Sequence, residues 1–261
     1  MKETIADALH PLFRNFVYTA RHGLAKGLKR KGGLGFIPFV RPTLEERFLL
    51  HLDLAGQTIY DIGGFQGIFT LFFARACGNT GKVFTFEPNP KSYENILEII
   101  KLNNFGNIEV RKIALGSHAT TGTLAVQHSD MGTASLQEDI KETILRKKGT
   151  ATIQVEVDSL DHQIASHSLP GPSFVKIDVE GLEMDVLLGM TDTLTRFKPK
   201  LFIEIHGVDI LRKIDNVNTV VKFLLDRSYS ILHVESGEMI HYSNAGIAKL
   251  GHLYCCPPEQ R

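Results

Sequence analysis

The most informative residues form a turn in which an acid and three glycines follow a short apolar run. Asp61 lies near the end of TIYDI (58–62), and Gly63, Gly64 and Gly67 follow before a segment of helical length. Glycines let the backbone bend sharply and approach a ligand, because no Cβ stands in the way. The spacing D-x-G-G-x-x-G differs from the dinucleotide fingerprint G-x-G-x-x-G. The alternative interpretation is a tight strand-to-helix turn without a ligand.

The charge of Asp61 helps to choose among nucleotide cofactors. Its carboxylate would repel a pyrophosphate at the turn but attract a cation. S-adenosylmethionine carries an ammonium and a sulfonium group and no phosphate, so we favour it over a nicotinamide dinucleotide. Glu87 ends the next apolar run, in FTFEPNP, where an acid can accept hydrogen bonds from ribose hydroxyls. Pro88, Asn89 and Ala114 complete the candidate cofactor-binding residues. The alternative for Glu87 is a solvated acid that starts a turn.

Further acids stand at the ends of two later apolar runs. Asp178 and Glu180 lie in VKIDVEG, and Glu204 and His206 lie in IEIHG. Acids on adjacent strand ends can act as a general base, anchor a substrate or ligate a metal. We predict that Asp178 is the base or substrate anchor, with the other three residues around it. The structural alternative is a helix cap or an ion pair with Lys176.

Two variations on this candidate site stay open. His206 is an alternative base, because the pKa of an unperturbed histidine lies near neutrality. A hydrogen-bonded structural histidine is the other interpretation. Asp178 and Glu204 could hold a divalent metal, although we predict no metal site. Residues 128–135 are small and polar, and they form either a loop over the substrate or an exposed turn.

These residues need a scaffold that brings several strand ends together. Strand-like runs alternate with helix-like segments over residues 58–261, which we take as one cofactor-binding domain with parallel strands and right-handed crossovers. The predicted strands are 58–62, 82–87, 107–115, 152–157, 173–179, 200–207, 229–234 and 251–256, and the predicted helices are 67–78, 89–104, 181–190 and about 216–227. One of the last two strands is expected to run antiparallel. We therefore predict a doubly wound α/β fold with a mostly parallel, seven-stranded sheet.

The first 57 residues follow a different pattern. They predict a helical cap or lid, with helices at about 3–29 and 44–54 on either side of a glycine-rich bend at 31–38. Thr43 and Glu46 have capping-box spacing for the second helix. This segment would cover the cofactor-binding domain rather than form a domain of its own.

Composition sets limits on partners and location. The chain has 29 basic and 29 acidic residues, whereas proteins whose main function is to bind nucleic acid usually carry an excess of basic residues. Its three cysteines do not make a disulfide framework. No apolar run has the length of a membrane span. The polar first residues are unlike a secretory signal peptide. We expect a cytoplasmic protein with a small-molecule or glycan substrate and no nucleic-acid partner.

A basic stretch near the N terminus raises the alternative of a peripheral membrane contact. Such a stretch could bind an anionic bilayer and bring the site to a lipid-linked glycan. The other interpretation is a solvated helix end. It combines four basic residues with three leucines, namely Lys26, Lys29, Arg30 and Lys31 with Leu24, Leu28 and Leu34.

The motifs YDIGGFQG, FTFEPNP, FVKIDVEGLEMDVLLG and LFIEIHG together resemble the FkbM family of class I S-adenosylmethionine-dependent methyltransferases. The resemblance spans residues 58–207, and IDVEG-x-E-x-x-x-L-x-G is its most specific part. It implies that Asp61, Gly63 and Gly67 line the methionine end of the cofactor. By the same resemblance, Glu87 would hold the ribose.

The chain departs from the family at the glycine turn. Members usually have glycine, alanine and asparagine where this chain has Gly63, Gly64 and Phe65, so one expected polar contact with the cofactor is missing. The stretch Asp158–Asp161 also resembles a family feature. The first 57 residues and the segment 116–150 carry no family motif, and we expect them to determine the choice of substrate.

The resemblance implies a methyltransferase that acts on a hydroxyl group of a sugar, glycan or glycosylated small molecule. Methyl transfer is an in-line displacement, for which an enzyme supplies alignment, exclusion of water and, for a hydroxyl, a base. The alternatives are an inactive methyltransferase fold that only binds a partner, transfer to nitrogen, protein or RNA, and a nicotinamide oxidoreductase. The acids at four strand ends favour an enzyme.

Overall fold

A central sheet with helices on both faces organises the protein. The computed structural model describes residues 16–31, 42–127, 134–147 and 149–258 of the 261-residue chain. The strands are β1 (Val17–Thr19), β2 (Lys29–Lys31), β3 (Thr58–Ile62), β4 (Lys82–Phe86), β5 (Ile108–Arg111), β6 (Ala114–Leu115), β7 (Thr120–Gln127), β8 (Ala134–Ser135), β9 (Thr150–Asp158), β10 (Phe174–Ile177), β11 (Lys200–Glu204), β12 (Ser230–His233), β13 (Glu238–Ile240) and β14 (His252–Cys256). The helices are α1 (Leu44–Leu50), α2 (Ile68–Cys77), α3 (Pro90–Asn103), α4 (Glu138–Leu145), α5 (Leu160–His167), α6 (Glu183–Leu188), α7 (Thr191–Arg196) and α8 (Ile210–Leu225), and a 3-10 helix spans Ala245–Ala248.

The central sheet has the strand order β13-β12-β14-β11-β10-β3-β4-β5. Strands β11, β10, β3, β4 and β5 pair in parallel, and β14 lies antiparallel between β11 and β12. The mostly parallel α/β fold and the reversal near the C terminus are therefore confirmed. The predicted count of seven strands is one short. The extra strand, β13, is only three residues long, and Glu238 and Met239 in it are exposed, so it carries no apolar strand pattern.

A second sheet occupies part of the region 116–150, where the sequence pattern is irregular. Its order is β6-β9-β7-β8, with β7 antiparallel to β9 from Thr120↔Val157 to Gln127↔Thr150. Strand β9 contains the predicted strand at 152–157 and lies in this sheet rather than the central one. Leu124, Val155 and Ala114 pack together between its strands. Ala114, Leu124 and Ala134 of this small sheet lie around the same cavity as the ends of the central strands.

Two apolar clusters cover the faces of the central sheet. On one face, helices α5 to α8 pack against Tyr60, Val175 and Ile203. On the other face, α2 packs its phenylalanines against Phe174 and Phe202. Complete burial of side chains of this size contributes roughly 1.5–3 kcal/mol each to the free energy of folding, so these two clusters stabilise the central strands.

The N-terminal segment is a β ribbon where the sequence predicted a helix. Strands β1 and β2 pair antiparallel from Val17↔Lys31 to Thr19↔Lys29. The prediction of a helix at about 3–29 is wrong for residues 16–29, and the rest of it lies outside the described residues. Gly23 and Gly27 have φ angles of +67° and +82°, which interrupt a helix. The predicted bend at 31–38 also lies almost entirely outside the described residues.

The second predicted helix of the cap is present but shorter than predicted, since α1 spans Leu44–Leu50 and the prediction was 44–54. Helix α1 begins after Thr43, whose side chain accepts a hydrogen bond from the amide of Glu46 in a complete capping box. Leu24 and Leu49 are buried in the same apolar cluster as Phe72 of α2. The ribbon and α1 thus share a core with the sheet.

The basic stretch is engaged with the body of the protein. Lys31 pairs with Glu98 of α3 at 2.6 Å, and Arg30 donates a hydrogen bond to Gln66. Leu24 and Leu28 are buried, so neither presents an apolar surface to a bilayer. Among the described residues, the helices lack the combined length and apolar character that crossing a membrane requires.

Candidate active site

The carboxyl ends of the central parallel strands meet at one edge of the sheet. Ile62 of β3 stands in register with Phe86 of β4 and with Ile177 of β10, and Ile177 is in register with Ile203 of β11. The ends of these four strands therefore lie side by side. A cavity of about 300 Å³ opens at this edge, where ligands bind in open α/β sheets.

The cavity separates the predicted cofactor residues into two groups. Gly63, Glu87, Pro88 and Ala114 line it, and we call these four residues the donor wall. The other predicted residues, Asp61, Gly64, Gly67 and Asn89, are not among the residues that line it. They lie in or next to the same two turns, behind the donor wall.

The turn after β3 depends on the missing side chain of Gly63. This glycine has a φ angle of +84°, and a Cβ atom built on it would lie 1.8 Å from the carbonyl oxygen of Asp178. The amides of Gly63 and Gly64 both donate to the carbonyl of Phe86. Only glycine at position 63 allows the two strand ends to approach so closely.

The carboxyl group of Glu87 organises the second turn of the donor wall. It accepts hydrogen bonds from the amide of Phe65 at 2.7 Å and from the amide of Asn89 at 2.8 Å. Burial raises the pKa of Glu87 to about 7, although these two amides oppose the shift. Each carboxylate oxygen can accept a further hydrogen bond, which suits a ligand hydroxyl.

Asp61 lies beneath the turn, with a cation beside it. Its side chain is fully buried, and Oδ2 accepts a hydrogen bond from the hydroxyl of Thr70 at 2.6 Å. The other oxygen, Oδ1, lies 3.5 Å from Nζ of Lys176. The sequence placed Asp61 against a cationic part of the cofactor, and the structure places Lys176 next to it.

Lys176 is a functional candidate that the sequence analysis treated only as an ion-pair partner. Its ammonium group donates to the carbonyl of Gly63 at 2.9 Å and to Oδ2 of Asp178 at 3.0 Å. Burial by itself would lower the pKa of Lys176, but the charges of Asp178 and Asp61 outweigh it and raise the pKa above its usual range. The available signal was a lysine inside the buried apolar strand FVKI.

The predicted acids of β10 and β11 come together with His206, and we call Asp178, Glu180, Glu204 and His206 the acceptor wall. Nε2 of His206 lies 3.7 Å from Oδ1 of Asp178, 3.8 Å from Oε2 of Glu180 and 3.5 Å from Oε1 of Glu204. Asp178 and Glu180 line the cavity, whereas Glu204 and His206 stand behind them. The strand-end clustering inferred from the sequence is therefore present in the structure.

His206 is held by Glu183, the second glutamate of the IDVEG-x-E motif, to which the sequence analysis assigned no role. Nδ1 of His206 lies 2.8 Å from Oε1 of this fully buried glutamate, which also accepts a hydrogen bond from Asn216. Burial would lower the pKa of His206, but the Glu183 hydrogen bond and the surrounding carboxylates raise it to about 9. A raised pKa favours the protonated imidazole near neutral pH, whereas the alternative of a histidine base assumes an unperturbed pKa.

Glu180 has the properties expected of a proton acceptor near neutral pH. Burial raises the pKa of Glu180 to about 7, Asp178 and Glu204 add to the shift, and His206 opposes it. Its backbone adopts a φ angle of +52°, which is uncommon for a residue with a side chain. The hydroxyl of Ser135 donates to its carbonyl at 2.8 Å. Such backbone conformations concentrate at functional sites.

Glu204 connects the acceptor wall to a second histidine. Burial would raise its pKa, but His252, whose Nε2 lies 3.6 Å from Oε2 of Glu204, and the charge of His206 lower it to about 2. His252 also contacts Glu45 of α1 at 3.3 Å. One ligand atom each from Asp178, Glu204 and His206 lies within 4.8 Å of the others, a spacing that would admit a divalent cation.

Of the remaining predicted features, one lies away from the cavity and another lies partly along it. Asp161 accepts hydrogen bonds from the amides of Asp192 and Thr193 at the start of α7, so it joins two helices away from the cavity. Within the proposed substrate loop, residues 128–133 lie outside the described part of the chain. Ala134 from the same stretch lines the cavity.

Comparisons with known proteins identify a family that this chain resembles. The family model of the methyltransferase FkbM domain matches residues 61–231. The hexuronic acid methyltransferase AglP of Haloferax volcanii is 29% identical over 164 residues, which cover 62% of this chain and 62% of that protein. Methyltransferase 1 of Beauveria bassiana is 27% identical over 146 residues, which cover 51% of this chain and 58% of that protein. This chain thus spans less than two thirds of either curated relative.

A solved structure supports the fold independently. The crystal structure of methyltransferase FkbM from Methylobacillus flagellatus KT superposes with a TM-score of 0.51 at 17% identity, covering 79% of this chain and 45% of that chain. The family model itself extends from the last residues of β3 into β12 and so includes both walls of the cavity. On this evidence the chain belongs to the FkbM family of methyltransferases.

Proposed function

We propose that the protein transfers a methyl group from S-adenosylmethionine to a hydroxyl group of a sugar, glycan or glycosylated small molecule. The observation that carries this proposal is the cavity at the strand ends, which has a glycine turn and Glu87 on one side and Asp178 and Glu180 on the other. The similarity to a hexuronic acid methyltransferase supports a sugar as the acceptor.

The donor wall suits S-adenosylmethionine. Gly63 lets the turn after β3 approach Asp178 and still lines the cavity, and the carboxyl group of Glu87 beside it could accept hydrogen bonds from ribose hydroxyls. When bound, the cofactor supplies a methyl group on a positively charged sulfur. The residues behind the wall hold its two turns in place, namely Asp61, Gly64, Gly67 and Asn89.

The acceptor wall supplies the proton chemistry of the reaction. We assign Glu180 as the general base, which would take the proton of the acceptor hydroxyl when that oxygen receives the methyl group. Asp178 lines the cavity, and we assign it as the anchor of the acceptor. Its orientation is fixed, since one oxygen accepts a hydrogen bond from Lys176 and the other faces His206. The imidazolium of His206 balances the negative charge of Glu204 and its neighbours.

Calorimetric titration tests the cofactor assignment. We expect saturable binding of S-adenosylmethionine and no binding of NAD. At about pH 8, above the pKa of Glu87, Glu87→Gln should weaken cofactor binding about tenfold or more, because a hydrogen bond to a charged group contributes roughly 1.5–3 kcal/mol. Glu94→Gln, on an exposed position of α3, is the matched control and should bind like the parent protein. Absence of cofactor binding to the folded parent protein would overturn the proposal.

An acceptor screen tests the second half of the proposal. The protein is incubated with methyl-labelled cofactor and with neutral sugars, uronic acids, peptides or RNA, and transfer is followed by mass spectrometry. Transfer to a sugar hydroxyl is the expected result, and parallel reactions with Mg²⁺ and with EDTA show whether the acceptor wall works with a metal. Cofactor binding without transfer to any acceptor class would favour a partner-binding module.

A further inference from the structure

We propose that Lys176 is a positioning residue that fixes the donor and acceptor walls relative to each other. The lysine lies on β10, between β3 and β11, and its side chain is 3% exposed. Moving an ammonium group out of water costs several kcal/mol unless it is fully paired. Its place at the centre of the sheet therefore calls for a role that an apolar side chain could not fill.

The ammonium group of Lys176 joins both sides of the cavity. It donates to the carbonyl of Gly63 in the donor wall and to the carboxylate of Asp178 in the acceptor wall, at 2.9 and 3.0 Å. Oδ1 of Asp61 lies 3.5 Å away, and the ring of Phe69 packs against the ammonium with its centroid at 4.7 Å. Its polar contacts thus reach one residue of each wall and the acid beneath the turn.

The backbone hydrogen bonds near Lys176 do not fix the orientation of the Asp178 side chain. The amide of Asp178 donates to Ile62 and so fixes the main chain between β10 and β3. The carboxylate of Asp178 is fixed separately, with Oδ2 held by Lys176 and Oδ1 turned towards His206 at 3.7 Å. Lys176 therefore selects the orientation in which Asp178 faces the acceptor wall.

This role matters because methyl transfer needs an in-line approach of the acceptor to the methyl carbon. A misplacement of about 1 Å in such an arrangement can reduce the rate about 100-fold. The inference rests on the proposed function, since Asp178 is the proposed anchor. It predicts that loss of Lys176 lowers kcat at saturating cofactor while cofactor affinity changes much less.

A double-mutant cycle between Lys176 and Asp178 tests the inference. Lys176→Met is expected to lower kcat about 100-fold and to change the Kd for S-adenosylmethionine less than tenfold. In an Asp178→Asn background, Lys176→Met should cause little further loss of kcat, because the carboxylate that it orients is already absent. Equal, independent losses of kcat in both backgrounds would overturn the inference.

A second variant separates positioning from stability. Lys176→Met alone leaves Asp61 buried without its cation, so the variant is expected to melt at a lower temperature or not to fold. Lys176→Met combined with Asp61→Asn removes both charges and should restore the melting temperature. The positioning role predicts that kcat at saturating cofactor stays low in this pair, whereas recovery of kcat along with stability contradicts it. A parent protein without cofactor binding or transfer would instead reject the proposed function.

Discussion

The two walls of the cavity are built in different ways. In the donor wall, Glu87 is held by the amides of Phe65 and Asn89, which belong to two neighbouring turns. In the acceptor wall, Asp178 and Glu180 after β10 face His206 after β11, and Glu183 of α6 holds the histidine. One wall is fixed by backbone geometry and the other by a group of coupled charges.

This difference predicts different consequences of substitution. Changes in the donor wall alter the backbone or the hydrogen bonds offered to the cofactor, so they should affect binding and folding. Changes in the acceptor wall alter protonation states, so they should affect the rate and its pH dependence while the cofactor still binds. Lys176 is the exception, because it contacts both walls.

The largest effect is expected at the donor wall from Gly63→Ala. The added methyl group would collide with the carbonyl oxygen of Asp178, and the positive φ angle would also be strained. We expect a loss of at least about 2 kcal/mol in the free energy of unfolding and loss of cofactor binding. Thermal melting and calorimetry measure the two effects.

Gly106→Ala is the matched control for that substitution. A Cβ atom at Gly106 would meet no neighbouring atom within 4 Å, and its φ angle is not positive. The control should melt like the parent protein. A Gly63→Ala protein that kept its stability and cofactor affinity would show that the close approach of β3 and β10 is not required.

The next effect is expected at the acceptor wall from Glu180→Gln. The amide cannot accept the hydroxyl proton, so kcat should fall about 10²- to 10⁴-fold. Cofactor affinity should stay within a few-fold, because this residue is not in the donor wall. Glu142→Gln, on an exposed position of α4, should leave kcat unchanged. If Glu180→Gln weakened cofactor binding and left kcat intact, the assignment of the two walls would be reversed.

The smallest effect is a shift in the pH profile of kcat at saturating cofactor. Glu180 must be ionised to accept a proton, so kcat should rise as pH increases through about 7. His206 must stay protonated to balance the acids, so kcat should fall as pH increases through about 9. In Glu183→Gln the hydrogen bond that raises the pKa of His206 is weakened, so the falling limb should move to lower pH.

Asp185→Asn on the same helix is the control for the pH experiment and should leave both limbs in place. An unchanged falling limb in Glu183→Gln would show that His206 does not set it. Apparent pKa values from such a coupled group belong to the group as a whole, so the comparison rests on the direction of the shift.

The sequence by itself determined the strand ends. The apolar runs ending near Asp61, Glu87, Asp178 and Glu204 each form a strand of the central sheet, and parallel pairing places their ends at one edge. The capping box at Thr43 was also readable, because both of its hydrogen bonds join residues three positions apart. These features depend on local pattern, which survives in a single sequence.

Only the tertiary structure decided the pKa values in the site, the contacts of its charged side chains and the form of the N-terminal segment. The pKa of His206 depends on Glu183, which is 23 positions away along the chain, and the role of Lys176 depends on Gly63, which is 113 positions away. The β ribbon near the N terminus likewise took the place of a predicted helix where it packs on α2 and α3. These properties depend on contacts between residues far apart along the chain, and such contacts leave no local pattern in the sequence.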